Sequence, residues 1–151
     1  MIKSNKAQGS VEILIGIFFI IFFIYIFNIL AANTVETLEI NKIKEQEQEI
    51  VLSLSDFLYS GVNVLEEGYN IIAYDATYRI PLIMVPSQNP TCTVTIDKFD
   101  ISIVTEYNDR NVSYSIANII PQDSYNLSSP IVTNCGSELS CTIDTGKLEC
   151  S

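Results

Sequence analysis

Hydrophobic side chains are concentrated in one long run near the start of the chain. Residues 13–27 contain no charge, and the apolar stretch continues past Asn28 to Ala32. A helix rises about 1.5 Å per residue, so residues 13–32 would cover about 30 Å, the thickness of the hydrocarbon core of a bilayer. The pattern therefore predicts a membrane-inserted helix over 13–32.

Charges on either side of this stretch predict its orientation. Lys3 and Lys6 precede it, whereas Glu36 and Glu39 follow it. The positive-inside rule places the N-terminus in the cytoplasm and the remaining chain outside. A conventional cleaved signal has an apolar core of only about 7–15 residues, so this longer run fits a retained helix better.

Apolar residues at spacings of three, four and seven predict that the helix continues to about residue 60. Gly61 is the expected bend or end, with Gly68 as a second candidate. The long N-terminal helix is therefore assigned to 8–67. The periodic positions are Val35, Leu38, Ile43, Ile50, Leu54, Phe57 and Leu58.

Beyond Gly68 the pattern changes to that of strands. An antiparallel β-rich head domain over 68–151, after the long helix, makes the fold class α+β. Turns are expected at 75–77, 87–90, 97–100 and 108–110, and a loop at 121–130. The predicted strands are 69–74, 78–85, 92–96, 101–107, 112–119, 131–133, 139–143 and 147–150.

All four cysteines lie in the predicted head domain: Cys92, Cys135, Cys141 and Cys150. An even number in an exported segment indicates two disulfides, with three possible pairings. A hairpin turning at Thr145-Gly146 would place Cys141 opposite Cys150 and leave Cys92 for Cys135. This pairing is preferred, but β-branched Thr145 resists that turn, so the other two pairings stay open. A zinc site is the alternative, and the absence of histidine and of a Cys-x-x-Cys pair disfavours it.

Two sequons for N-glycosylation, at Asn111 and Asn126, fall on predicted exposed turns. We expect a glycan on at least one of them.

The residues predict no enzyme, no cofactor and no metal site. The chain has no histidine, which excludes Ser-His-Asp and Cys-His catalysis. Asp144-Thr145-Gly146 matches the aspartic-protease tripeptide, but that chemistry needs two such aspartates. The acidic positions in 97–100 and 108–109 lack the spacing of a calcium loop and are interpreted as turns.

Glu12 is unusual because a carboxylate at the start of a membrane helix costs free energy, on the order of 2.5–3.5 kcal/mol at mid-bilayer and less near the interface. Cleavage between Ala7 and Gln8 would create an ammonium group four residues earlier. Residues four apart share a helix face, so this ammonium would lie beside Glu12 or beside Glu12 of a neighbouring copy.

Lys6-Ala7, followed by Gln8-x-Ser10-x-Glu12 and an unbroken apolar helix, resembles the class III signal peptide of archaeal type IV pilin-like proteins. The resemblance covers about residues 3–30. It implies a leader peptide over 1–7 that prepilin peptidase removes on the cytoplasmic side, with Gln8 as the first mature residue. Ala7 replaces the commoner Gly, and the Phe- and Ile-rich helix is unlike that of archaellins.

The resemblance implies a structural pilus subunit that resides in the cell membrane before assembly and at the cell surface afterwards, with a role in adhesion. Its partners would be prepilin peptidase and copies of itself. Loss of Lys3 and Lys6 lowers the basic count from 8 to 6 against 18 acidic residues and takes the formal charge from −10 to −12. This acidity disfavours nucleic acid as a partner.

Two other functions remain open on the sequence. The chain could be a membrane-anchored exported binding protein that never polymerises, or a minor or pseudopilin subunit of a secretion machine. An uncut anchor would begin at Met1, whereas a processed pilin would begin at Gln8.

Overall fold

The computed structural model is an α+β protein, and the part of the chain that it describes contains one long helix and seven strands. It describes the backbone of residues 5–66, 75–118, 129–144 and 147–151, and the side chains of 11–64, 75–118, 129–143 and 147–151. The elements are α1 (Asn5–Glu66), β1 (Asp75–Arg79), β2 (Thr91–Ile96), β3 (Asp100–Tyr107), β4 (Arg110–Ala117), β5 (Ile131–Asn134), β6 (Glu138–Asp144) and β7 (Lys147–Cys150).

Helix α1 continues past Gly61, so it does not end there, and its last residue, Glu66, lies next to the predicted end at 67. Gly61 is buried in the helix, and the chain stays helical to Glu66. Val62, the residue after Gly61, is fully buried in the core. Its burial explains why the helix continues. Packing thus outweighs the intrinsic cost of about 1 kcal/mol for a helical glycine.

The chain forms two compact units, Met1–Leu38 and Glu39–Ser151. The second unit contains the C-terminal part of α1 together with both sheets.

A four-stranded antiparallel sheet has the order β4-β3-β2-β5. Its inner face carries apolar side chains that alternate with solvent-facing ones, as the pattern in 92–96 and 112–117 predicts. Val94 lies opposite Ile103, and Ile103 lies opposite Tyr114, so one register aligns the inner residues of three strands.

The β3–β4 hairpin turns at Asn108 and Asp109. Both residues have positive φ, 49° and 57°. A two-residue turn with two left-handed positions matches the twist of the flanking strands, and Asn and Asp tolerate that conformation better than most residues.

A three-stranded antiparallel sheet has the order β1-β6-β7 and corrects two sequence-based predictions. Residues 75–77, predicted as a turn, begin β1, and the predicted strand 78–85 ends at Arg79. Pro81 explains the end, because it has no N–H for a strand ladder. The predicted strand 69–74 lies outside the described residues, as do 119–128 and the turn at 145–146.

One hydrophobic core joins the second half of α1 to both sheets. Six apolar side chains of the helix are buried in it: Ile43, Ile50, Val51, Leu54, Leu58 and Val62. They follow the spacing of a helix face that packs on another layer. The head domain therefore uses the helix as one of its structural layers.

Two disulfides join Cys92 to Cys135 and Cys141 to Cys150. The β6–β7 register places Ile143 opposite Leu148 and Cys141 opposite Cys150, which is the hairpin considered from the sequence. The other disulfide links Cys92, near the start of β2, to Cys135, the residue after β5. It therefore cross-links two neighbouring strands of the four-stranded sheet at one end of their pairing.

We expect the Cys92–Cys135 disulfide to stabilise the head domain more than Cys141–Cys150. The two cysteines of the first disulfide are 43 residues apart and those of the second are 9 apart. In the chain-entropy model the stabilisation grows with the length of the closed loop, to about 4 kcal/mol for Cys92–Cys135 and about 2.7 kcal/mol for Cys141–Cys150. Double Cys→Ala variants of each pair, compared by urea unfolding, test this. Equal losses would contradict it.

Candidate functional site

The predicted processing segment belongs to the first turns of α1. The helix includes Lys6, Ala7, Gln8 and Ser10, whose side chains lie outside the described ones. Glu12 is described and is exposed.

A band of apolar side chains on α1 is uncovered over its whole length. All large hydrophobic side chains from Val11 to Leu30 are exposed, except half-buried Ile26, with values from 44% at Ile29 to 73% at Phe27. The most apolar 18-residue window has a mean hydropathy of 2.9, and none of it is buried. By length and composition this helix can span a membrane, and we call this surface the apolar band.

Gln46 holds the extended segment that follows β1. Its carboxamide Nε2 donates to the Met84 carbonyl at 3.0 Å, and its Oε1 accepts from the Met84 N–H at 2.9 Å. Pro81 has removed this segment from the sheet, and the Gln46 side chain satisfies both backbone groups of Met84 as a neighbouring strand would.

Glu39 forms a second polar contact between the helix and the head domain, and its side chain, unlike that of Gln46, is buried. Tyr107 donates its hydroxyl proton to Glu39 Oε2, and Ser87 donates from Oγ to Oε2 at 2.8 Å and from N to Oε1 at 3.2 Å. The Tyr107 hydroxyl, followed by Ser87, holds the pKa of the Glu39 carboxyl below its ordinary value. The same contact raises the pKa of Tyr107, because its proton is held by the carboxylate.

Glu47 is fully buried in the core, next to fully buried Thr105. Neither of its carboxylate oxygens has a hydrogen-bond partner among the described residues, nor has the Thr105 hydroxyl. Loss of hydration raises the pKa of the Glu47 carboxyl, and the positive charge of Lys44 opposes only part of this effect.

Sequence analysis missed the roles of Gln46, Glu47 and Tyr107, and it used Glu39 only as a flanking charge. A signal for Glu47 was present, since it lies four residues after Ile43 and three before Ile50 on the buried face. No comparable signal identified Gln46, because its partner is 38 residues away in the chain.

The structure places Asn111 on the solvent face of β4, two residues after the hairpin turn, with its side chain exposed. Asn126 lies outside the described residues. Beside the hairpin is an open cleft of about 440 Å³, lined by loop residues 88–91 and by Glu106, Asn108 and Asp109. All of these except Pro90 are polar.

The other candidate chemistry is accounted for by structure or lies outside the described part. All four cysteines are in disulfides, so none is left for the zinc alternative. Asp97 and Asp109 lie at the turns predicted for them. Of Asp144-Thr145-Gly146, only the backbone of Asp144, at the end of β6, is described.

Comparisons of the chain with protein-family models, with curated proteins and with solved structures give no significant match.

We expect Glu47→Gln to stabilise the head domain at neutral pH. With a raised pKa, folded Glu47 retains a proton that the unfolded chain releases above its ordinary value of 4.5. Stability therefore falls as the pH rises from about 4.5 through the folded pKa, and a neutral amide removes this loss. Urea unfolding between pH 4 and 8 measures it.

Glu49→Gln is the matched control, because Glu49 is an exposed acid two residues away. The gain in the free energy of unfolding from Glu47→Gln should shrink below pH 4.5, where the glutamic acid and the glutamine at position 47 are both neutral. Glu49→Gln should change the free energy of unfolding little at any pH. An advantage that is independent of pH would contradict the assignment.

Proposed function

We propose that this protein is the structural subunit of an archaeal type IV-like surface filament, with a role in adhesion. Prepilin peptidase would remove residues 1–7, and the subunit beginning at Gln8 would leave the membrane and join copies of itself. The apolar band supports this proposal most directly. It is exposed along its length on a helix whose C-terminal part is a layer of the head domain.

Apolar side chains at this density need lipid or other apolar helices around them. In the membrane, lipid covers the band, and in a filament the bands of neighbouring subunits would cover one another. Because lipid tails are as apolar as these side chains, the exchange brings little hydrophobic gain. Close packing and polar contacts must then supply the specificity of assembly.

Glu12 supplies such a polar contact. Its carboxylate, unfavourable among lipid tails, would pair with the ammonium of Gln8 created by cleavage, in the same or a neighbouring subunit. An intersubunit pair would set the axial offset between helices. The uncleaved leader would place Lys6-Ala7 where this ammonium must be, so cleavage would precede assembly.

The proposal orients the subunit with its leader in the cytoplasm and its head domain outside. The two disulfides fit an oxidising exterior. Asn111 and Asn126 are the proposed N-glycosylation sites of the exported domain.

We expect Gln8→Leu to block removal of the leader, because it changes the residue that follows the scission point. The N-terminal peptide of the membrane-inserted protein, measured by mass spectrometry, should then begin at Met1, whereas the wild type should begin at Gln8. A wild-type protein that begins at Met1 and stays dispersed in the membrane would instead identify a permanent anchor.

We expect Glu12→Ala to leave cleavage intact and to reduce filaments strongly. It removes the carboxylate that pairs with the new ammonium but keeps the processing residues. Electron microscopy of sheared filaments and the N-terminal mass of the membrane fraction measure the two effects separately.

Glu45→Ala is the matched control for Glu12→Ala. It removes the same charge from an exposed position on the same helix, outside the apolar band. Normal filament yield in Glu12→Ala, or an equal loss in Glu45→Ala, would refute the pairing role of Glu12.

A further inference from the structure

The polar cleft beside the β3–β4 hairpin lies next to the sequon at Asn111. Glu106, which lines the cleft, is the Cα partner of Asn111 on β4 and of Thr91 on β2. Asn111, Glu106 and Thr91 therefore form one row across the solvent face of the sheet. Side chains directly opposite on a sheet face have Cβ atoms about 4.5–5.5 Å apart, so a group attached to Asn111 lies within reach of the cleft.

We propose that Asn111 carries an N-linked glycan and that the first sugar of this glycan is bound in the cleft. The inference rests on the proposed export of the head domain, because the transfer takes place outside the cytoplasm.

The chemistry of the cleft fits a sugar ring. Sugar hydroxyls both donate and accept hydrogen bonds. Glu106 and Asp109 offer carboxylate acceptors, and the carboxamides of Gln88 and Asn89 offer donors and acceptors. A volume of about 440 Å³ lies in the range of small-ligand sites, and a covalently attached sugar needs an open rather than an enclosed site.

The cleft is formed before any ligand arrives. Gln88 Nε2 donates to Asn108 Oδ1 at 3.1 Å, which joins the 88–91 loop to the hairpin turn. The turn itself is closed by the pairing of Tyr107 with Arg110 on its two sides. A preformed site loses less conformational entropy on binding, and attachment through Asn111 adds a high effective concentration.

Asn111 is also accessible to a transferase. Within the described residues, β4 pairs with β3 alone, so Asn111 lies on a strand at the edge of the sheet. The transfer joins Asn111 Nδ2 to the anomeric carbon of a glycosyl phosphate donor. The anomeric carbon–oxygen bond breaks, the phosphate leaves with the bonding pair, and the amide loses one proton to the solvent.

Ser113→Ala tests the modification, with Ser115→Ala as the matched control. Both serines are exposed on the same face of β4, but only Ser113 belongs to the sequon. In protein purified from its own cells, the peptide containing Asn111 should exceed its sequence mass in the wild type and in Ser115→Ala, and match it in Ser113→Ala. An unmodified wild-type peptide overturns the proposal.

Glu106→Ala tests whether the sugar is bound in the cleft. The full processed chain in detergent is unfolded thermally with and without Glu106→Ala, in the wild-type and in the Ser113→Ala background. If Glu106 binds the sugar, the effects of Glu106→Ala and Ser113→Ala on Tm are not additive. The decrease in Tm caused by Glu106→Ala should then be at least about twofold larger in the glycosylated protein than in the Ser113→Ala background. Equal losses in the two backgrounds place the sugar outside the cleft.

The same mass spectra keep this inference separate from the filament proposal. A processed subunit that begins at Gln8 and lacks the glycan overturns the inference alone. A glycosylated chain that still begins at Met1 supports the inference and refutes the filament.

Discussion

The structure depends on the burial of one face of helix α1 against the two sheets. The sheets of a head domain of this size offer a limited apolar surface, and the helix supplies a row of aliphatic side chains from Ile43 to Val62 that covers it. This row orders the second half of the helix, and the extended segment 80–85 is held along the same part of α1. Without the helix, the inner faces of both sheets would be exposed to water.

Polar side chains within this interface determine how the helix and the head domain fit together. Gln46 binds the backbone of Met84, and Glu39 accepts hydrogen bonds from Tyr107 and Ser87. These contacts have direction, unlike the aliphatic packing around them, so they select one rotation and one axial position of the helix. Glu47 differs from both, because it is buried without a described partner and lowers stability when charged.

The two units of the chain present different surfaces to their surroundings. In the first unit, nearly every large side chain of the apolar band is exposed, and this exposure would drive aggregation in water. The second has a well-formed core, two disulfides and a solvent-facing sheet rich in Ser and Thr. The proposed life cycle, from membrane to filament, gives the apolar band a covering at each stage.

The type and order of most elements follow from the amino-acid sequence alone. The apolar run at 13–32, the helical spacing beyond it and the alternation at 92–96 are local patterns, and they indicate burial without knowledge of partners. The Asn108-Asp109 turn was also predictable, since the two residues tolerate the conformation it needs. The hairpin register made Cys141–Cys150 a natural pair, although the sequence left the pairing open.

Features that depend on residues far apart in the chain become visible only in the folded molecule. The helix continues past Gly61 to Val62, which is buried in the core, and β1 begins at Asp75, where β6 pairs with it. Likewise, Gln46 meets Met84 and Glu39 meets Tyr107 across 38 and 68 residues of chain. Local propensity cannot report such contacts, because their free energy comes from groups that folding alone brings together.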